Sequence, residues 1–124
     1  MLDKRPLVVV VDDDESVRES LPDLLREFGF AARAFASAEE FLLSGDVSNT
    51  ACLILDIAMP GMSGPDLQGE LNRRGQEIPI VFITGHATEN VRSPLIEAGA
   101  VDCLFKPFGE TRLFDALKSA LRVA

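Results

Sequence analysis

The sequence predicts a doubly wound α/β domain, a five-stranded parallel sheet covered by five helices. Three observations carry that expectation. Continuous aliphatic runs such as Leu7-Val8-Val9-Val10-Val11 and Leu53-Ile54-Leu55 read as strands buried on both faces, the mark of a parallel sheet. Between the runs, apolar residues recur at helical spacing, so strands and helices alternate and right-handed crossovers put helices on both sides. A length of 124 residues suits one compact domain with enough interior for that arrangement. Of the two common doubly wound orders, five strands fit the flavodoxin-like 2-1-3-4-5, whose crevice opens between the first and third strands.

The first strand, Leu7 to Val11, breaks abruptly into Asp12-Asp13-Asp14-Glu15, leaving acids at its C-terminal end. From Ser16, the residues Val17, Leu21, Leu24, Leu25 and Phe28 form one helical stripe, closed by Gly29. Pro22 lies inside that helix and removes the bond to the Arg18 carbonyl. It points away from the stripe, where water can serve that carbonyl, so a kink is expected and not a break. Ala31 to Phe35 reads as the second strand, and Ser37-Ala38-Glu39-Glu40 is a capping-box pattern opening a helix that carries Phe41, Leu42 and Leu43.

A polar loop from Gly45 to Thr50 leads into the central strand, Ala51 to Asp56. Met59-Pro60-Gly61 then turns the chain into a third helix, with Pro65 at its start, Leu67 and Leu71 on its inner face and Gly75 beyond its end. Ile78 to Gly85 is the fourth strand, with Pro79 at the entrance, where a missing donor does least harm, and the Thr84 hydroxyl at the exit. A fourth helix belongs between His86 and Gly99. Pro94 would sit in its interior unless the helix begins there with Ser93 as cap, which predicts a short or late-starting helix and a loosely held stretch from Gly85 to Ser93. Ala100 to Phe105 is the fifth strand, ending at Lys106-Pro107. Arg112 to Val123 is the last helix, with Leu113, Phe114, Leu117 and Leu121 in register. With no repeat and no linker, residues 1–124 read as a single domain.

A formal net charge of −8 argues against direct binding of nucleic acid or anionic lipid, both of which need a basic patch, and is compatible with binding a cation. No apolar run approaches the roughly 20 residues of a membrane span. The N-terminal apolar stretch is too short for a signal peptide, so the expected compartment is the cytoplasm. In the expected strand order Cys52 and Cys103 are separated by the fourth strand, about 9.6 Å across the sheet and beyond disulfide reach. They are expected as reduced core thiols.

The same order brings Asp12, Asp13 and Asp56 together at the C-terminal edge, where α/β sheets collect their ligands. Adjacent strands lie about 4.8 Å apart, so these acids must crowd and, uncompensated, raise one another's pKa. A hard divalent ion removes that repulsion. Mg²⁺ takes one or two carboxylates and a carbonyl while keeping several waters, which suggests Asp13 and Asp56 as ligands, the backbone carbonyl of Ala58 as another, and Asp12 behind a metal-bound water. Asp56, alone at the end of the central strand, is the candidate nucleophile, since a carboxylate can take a phosphoryl group if charge on the transferring oxygens is neutralised. Mg²⁺, the Lys106 ammonium and the Thr84 hydroxyl with a neighbouring backbone N–H would each serve one oxygen. The bland alternatives are a turn-capping Asp and a solvated surface lysine.

These residues stand in motifs that resemble the receiver domains of two-component response regulators over essentially the whole chain. The motifs are Val11-Asp12-Asp13-Asp14, Leu55-Asp56-Ile57-Ala58-Met59-Pro60-Gly61-Met62-Ser63-Gly64, Ile83-Thr84-Gly85-His86, and Gly99-Ala100-Val101-Asp102 with Lys106-Pro107-Phe108. The Thr-Gly-His and Gly-Ala-Val-Asp stretches are most similar to the FixJ-like branch, whose members usually carry a helix-turn-helix output domain. The resemblance implies a CheY-like fold and a phosphoacceptor, Asp56, served by a histidine kinase or a phosphotransfer protein. It further implies an acidic pair Asp12 and Asp13 holding Mg²⁺ or Mn²⁺, a switch hydroxyl on Thr84, a phosphate-sensing Lys106 and a cis peptide before Pro107. Such a domain is not an enzyme in the ordinary sense but promotes its own phosphorylation and dephosphorylation. A homodimer through the fourth helix, fifth strand and fifth helix is a further option, and this chain is expected to hold the receiver without an output domain. It departs from the family at Cys103, where most members have Phe or Tyr, and less sharply at Pro22 and Pro94.

Three rivals remain. A flavin-binding module shares the fold, but Asp12-Asp13-Asp14-Glu15 would repel its phosphate. A Mg²⁺-dependent phosphatase would want a second acid two residues after Asp56, where Ala58 stands. A degenerate receiver would serve only as a docking domain. His86, a lone loop histidine, is expected to face solvent.

Overall fold

The computed structural model describes residues 5–85 and 89–121. In chain order the elements are β1 (Leu7–Val11), α1 (Glu15–Glu27), β2 (Ala31–Phe35), α2 (Ala38–Leu43), a 3-10 turn (Val47–Asn49), β3 (Thr50–Asp56), α3 (Gly64–Arg73), β4 (Ile80–Thr84), α4 (Glu89–Glu97), β5 (Asp102–Phe105) and α5 (Glu110–Leu121). The strands form one parallel sheet in the order β2-β1-β3-β4-β5, as the sequence predicts.

Alternation along the strands sorts the aliphatic runs into two cores. Val8, Val10, Cys52, Ile54, Val81, Ile83 and Leu104 face α1 and α5, meeting Leu21, Leu25, Leu113 and Leu117. Val9, Val11, Leu53, Leu55, Phe82 and Cys103 face the other way, onto Phe41 of α2, Leu67 and Leu71 of α3 and Leu95 of α4. Burial on both faces is why the runs show no polar alternation. The two cysteines are buried, free and on opposite faces of the sheet.

Local chemistry sets the helix starts. Ser37 accepts the Glu40 N–H at the head of α2, and Ser63 and Asp66 form a reciprocal capping box at α3. Strands four and five are shorter than expected, but their flanks stay paired: Pro79 O accepts from Leu53 N and Ile80 O from Val101 N.

Two proline expectations are corrected. Pro22 is buried, not turned toward water, and α1 runs unbroken through it. The reason is its spacing: Pro22 precedes Leu25 by three residues, so it shares the packed side of the helix. Of the two forms expected for the fourth helix, short or late-starting, the start at Pro94 is overturned, because α4 begins at Glu89 with Ser93 inside it and Pro94 exposed in its interior, while at nine residues it is short. Packing outweighs propensity here. Leu95 is buried in the core, while Arg92 Nη1 donates to the Cys103 carbonyl at 3.0 Å and pairs with Asp102 at 2.9 Å. Asp102 in turn meets Arg112 of α5 at 3.4 Å. Residues 89–93 are helical here, with Arg92 tied to β5, whereas 86–88 of the stretch expected to be loosely held, with His86, lie outside the described residues.

If Arg92 anchors α4, Arg92→Ala should accelerate amide exchange across residues 91–97 while costing global stability only about 1 kcal/mol or less in urea melts. Unchanged exchange would mean that Leu95 alone holds the helix.

Candidate functional site

Four neighbouring strand ends deliver the site. Asp12 immediately follows β1, and its N–H donates to Phe35 O at 3.2 Å, the last tie to β2. Asp56 ends β3 level with Ile83, Thr84 ends β4, and Lys106 follows β5 with its N–H on Thr84 O at 2.7 Å. Together with Asp13, Asp14, Ala58 and Gly85 these residues line a cavity of about 230 Å³. Every residue expected at the site is therefore at its rim.

Carboxylate oxygens of Asp12, Asp13 and Asp56 lie within 4.8 Å of one another. Asp12 is fully buried, Asp56 and Thr84 are nearly so, and Asp13 is exposed. Asp12 is closely held: Oδ1 accepts the Asp14 N–H at 2.9 Å, Oδ2 meets Lys106 Nζ at 3.0 Å, and its carbonyl accepts from Arg18 Nη1 at 3.1 Å. Asp14 belongs to the helix instead. It caps α1 by accepting the Ser16 hydroxyl and N–H, bonds that hold its carboxyl below the usual range.

Electrostatics single out Asp56. Burial first, then the charge of Asp12 and a hydrogen bond with it, push its carboxyl up to about 6, with Asp13 adding to the effect and Lys106 opposing it. Burial also works against the charge on Lys106, but the hydrogen bond and charge of Asp12, with Asp56 and Asp14 behind, outweigh it and raise its pKa. Three carboxylates thus face one ammonium. All three offer only oxygen, and the set suits a hard divalent cation such as Mg²⁺.

The loop behind Asp56 is held by contacts that sequence reading missed. A Cβ on Gly64 would sit 2.4 Å from the Asp56 carbonyl oxygen, so α3 approaches this closely only as glycine. Its N–H donates to Ile57 O at 3.0 Å. Glu39, which sequence reading places only in a capping pattern, reaches from α2 to accept the Met62 N–H at 3.0 Å. No local pattern signals that contact or the Arg18 bond. The peptide before Pro107 is cis, as the resemblance implies.

A family model described as the response regulator receiver domain matches residues 8–118. Response regulator protein TodT of Pseudomonas putida strain F1 is 43% identical over 124 residues, covering 100% of this chain and 55% of its own length. Among solved structures, response regulator StyR aligns with a TM-score of 0.87 at 45% identity, over 96% of this chain and 60% of that one. FixJ-N aligns with a TM-score of 0.85 at 39% identity, over 100% of this chain and 98% of that one. The chain spans about half the length of the curated relatives it matches. Among the described residues no helix is long and apolar enough to cross a membrane.

A carboxyl with a higher pKa folded than unfolded costs nothing below its unfolded value of 3.8 and costs most above its folded value of about 6. In Mg²⁺-free buffer, Asp56→Asn should therefore gain on the native sequence as pH rises from about 4 to about 8, by roughly 1–2 kcal/mol, discounted for the cavity's access to water. Urea melts across that range check it. A gap independent of pH would refute the assignment of a strained, ionising Asp56.

Proposed function

Because the chain belongs to the response regulator receiver domain family, in its FixJ-like branch, we propose that it works as the phosphoacceptor switch of a two-component phosphorelay. In this reading residues 1–124 form one receiver domain, and Asp56 takes a phosphoryl group from a histidine kinase or phosphotransfer protein in the cytoplasm. The observation that carries it is the convergence of Asp12, Asp13, Asp56, Thr84 and Lys106 on one cavity. A docking-only domain would have no use for that set. A phosphatase would want a second acid two residues after Asp56, and that position is Ala58.

In the transfer, one Asp56 carboxylate oxygen attacks phosphorus as the phosphorus–nitrogen bond of phosphohistidine breaks. The bonding pair leaves on the imidazole nitrogen, which takes a proton, and Asp56 becomes an acyl phosphate. The attacking form is the carboxylate, so a folded pKa of about 6 leaves most Asp56 reactive near neutrality. In this reading the Lys106 ammonium, which meets Asp12 at 3.0 Å, would serve one phosphoryl oxygen, and the Thr84 hydroxyl with a neighbouring backbone N–H another. Asp13, Asp56 and the Ala58 carbonyl, with Asp12 behind a water, would hold Mg²⁺ or Mn²⁺, which neutralises charge on the transferring group. A homodimer through α4, β5 and α5 is the finer part of the proposal. Arg92, Asp102 and Arg112 are charged groups of these elements, and Asp102 pairs with both arginines.

Incubation with a small phosphodonor and Mg²⁺ should add a single phosphate by mass spectrometry, and Asp56→Asn should abolish it. Full labelling of Asp56→Asn would show a different acceptor. Asp13→Asn should remove the Mg²⁺-induced shift in melting temperature while leaving the metal-free protein as stable or more so, because it relieves carboxylate repulsion. Marked destabilisation of that metal-free variant would contradict the argument.

A further inference from the structure

The turn that follows Asp56 is fastened at both ends. Its C-terminal end is fixed by the capping box, in which Ser63 N donates to Asp66 Oδ2 at 3.1 Å and Asp66 N to Ser63 Oγ at 3.2 Å, and by Gly64 N on Ile57 O. Its apex is fixed from outside. Glu39, an exposed residue in the first turn of α2, sends Oε2 across the loop to the Met62 N–H at 3.0 Å, a contact spanning 23 positions in sequence. The same oxygen occupies the space beside Gly61, 2.8 Å from where a Cβ would stand. Gly61 also has a φ of 74°, and it is this backbone geometry that calls for glycine, since a Cβ would meet only the movable end of the Glu39 side chain. The cap of its own helix is Ser37, so Glu39, a first-turn acid of α2, has its carboxylate free to reach the loop.

Asp56 and Ala58 lie at the start of this fastened segment and both line the cavity. Only residues 59–61 separate the Ala58 carbonyl from Met62, and the ring of Pro60 fixes one of their torsions, so a held Met62 narrows the positions open to that carbonyl. We propose that Glu39 is a positioning residue for the acceptor site: by holding the turn from Met59 to Met62 it presets the Ala58 carbonyl for a divalent cation. The ligand in this inference rests on the proposed function above, whereas the tether itself does not. A carboxylate accepting a backbone N–H is one of the stronger hydrogen bonds, and losing it at a partly exposed site weakens what it holds by about tenfold.

The test uses the whole chain with Glu39→Ala and Glu39→Gln, the latter keeping an oxygen acceptor without the charge. Amide exchange at Met62 is read in Mg²⁺-free buffer, the Mg²⁺ dissociation constant by titration, and phosphate uptake at saturating Mg²⁺. Glu39→Ala should accelerate Met62 exchange about tenfold and weaken Mg²⁺ binding about threefold or more, with uptake recovered at saturation. Glu39→Gln should fall between Glu39→Ala and the native protein in both, because a neutral amide oxygen accepts the same N–H more weakly. Unchanged Met62 exchange in Glu39→Ala would overturn the proposal. So would faster exchange with Mg²⁺ affinity unchanged, which leaves a purely structural contact, or a Gln variant as impaired as Ala, which points to charge instead of position. Failure of the native protein to bind Mg²⁺ would instead count against the proposed function, and the exchange measurement would still decide the tether.

Discussion

The ion pair between Lys106 and Asp12 is what allows this sheet edge to exist. Asp12 is a carboxylate with no exposure to water, at the end of β1, and its partner ammonium arrives from the end of β5 across the intervening ends of β3 and β4. A buried charge left alone would be very costly, and a buried pair is tolerated only when its remaining lone pairs are met. Here the Asp14 N–H meets the other oxygen. The pair is weak evidence for stability but strong evidence for placement, because it reaches from β5 to β1 over the end of β3, where Asp56 stands.

That placement makes the site tense, and the tension is useful. Asp56 is pushed up by burial and by Asp12, and pulled back by Lys106. A phosphoryl group on Asp56 would compete with Asp12 for the ammonium, so neutralisation of the acidic pair and release of Lys106 belong together. The loop behind Asp56 is correspondingly stiff. Gly64 packs against its carbonyl oxygen and Glu39 accepts the Met62 N–H, while after β1 Arg18 donates to the Asp12 carbonyl, so the proposed acceptor is held by contacts on both sides of the cavity.

Most of the fold was legible because both faces of a parallel sheet are dry. Runs such as Leu7 to Val11 can only be interior strands, and each run ends where its chemistry begins, at Asp12, Asp56, Thr84 or Lys106. What was not legible depended on contacts distant in sequence. Pro22 was expected to face water because its helix was judged from a single apolar stripe, yet the packed side is wide enough to include it. Propensity alone argues against a helix through Pro94, and the Arg92 contacts with β5 that accompany that helix leave no local signal in the sequence. Glu39 carried a plausible local role as part of a capping pattern, which concealed its longer reach.

Cys103 is the position where sequence and geometry together bear on output. It is a small, buried side chain on β5 where most of the family carries a ring, so little volume can move there. Its carbonyl is taken by Arg92, and Arg92 also pairs with Asp102, which meets Arg112. This chain of contacts crosses from α4 over β5 to α5 without using the side chain of residue 103. Pro94 falls between the two anchors of α4, Arg92 on β5 and Leu95 in the core, and the missing N–H leaves the Asn90 carbonyl without its helical partner. The helix therefore has a mechanical weak point between two fixed ones. A displacement passed from Thr84 into the start of α4 would reach Arg92 before that weak point and Leu95 only after it. The face of α4, β5 and α5 would then change through its arginines, a route that a cysteine at position 103 does not obstruct.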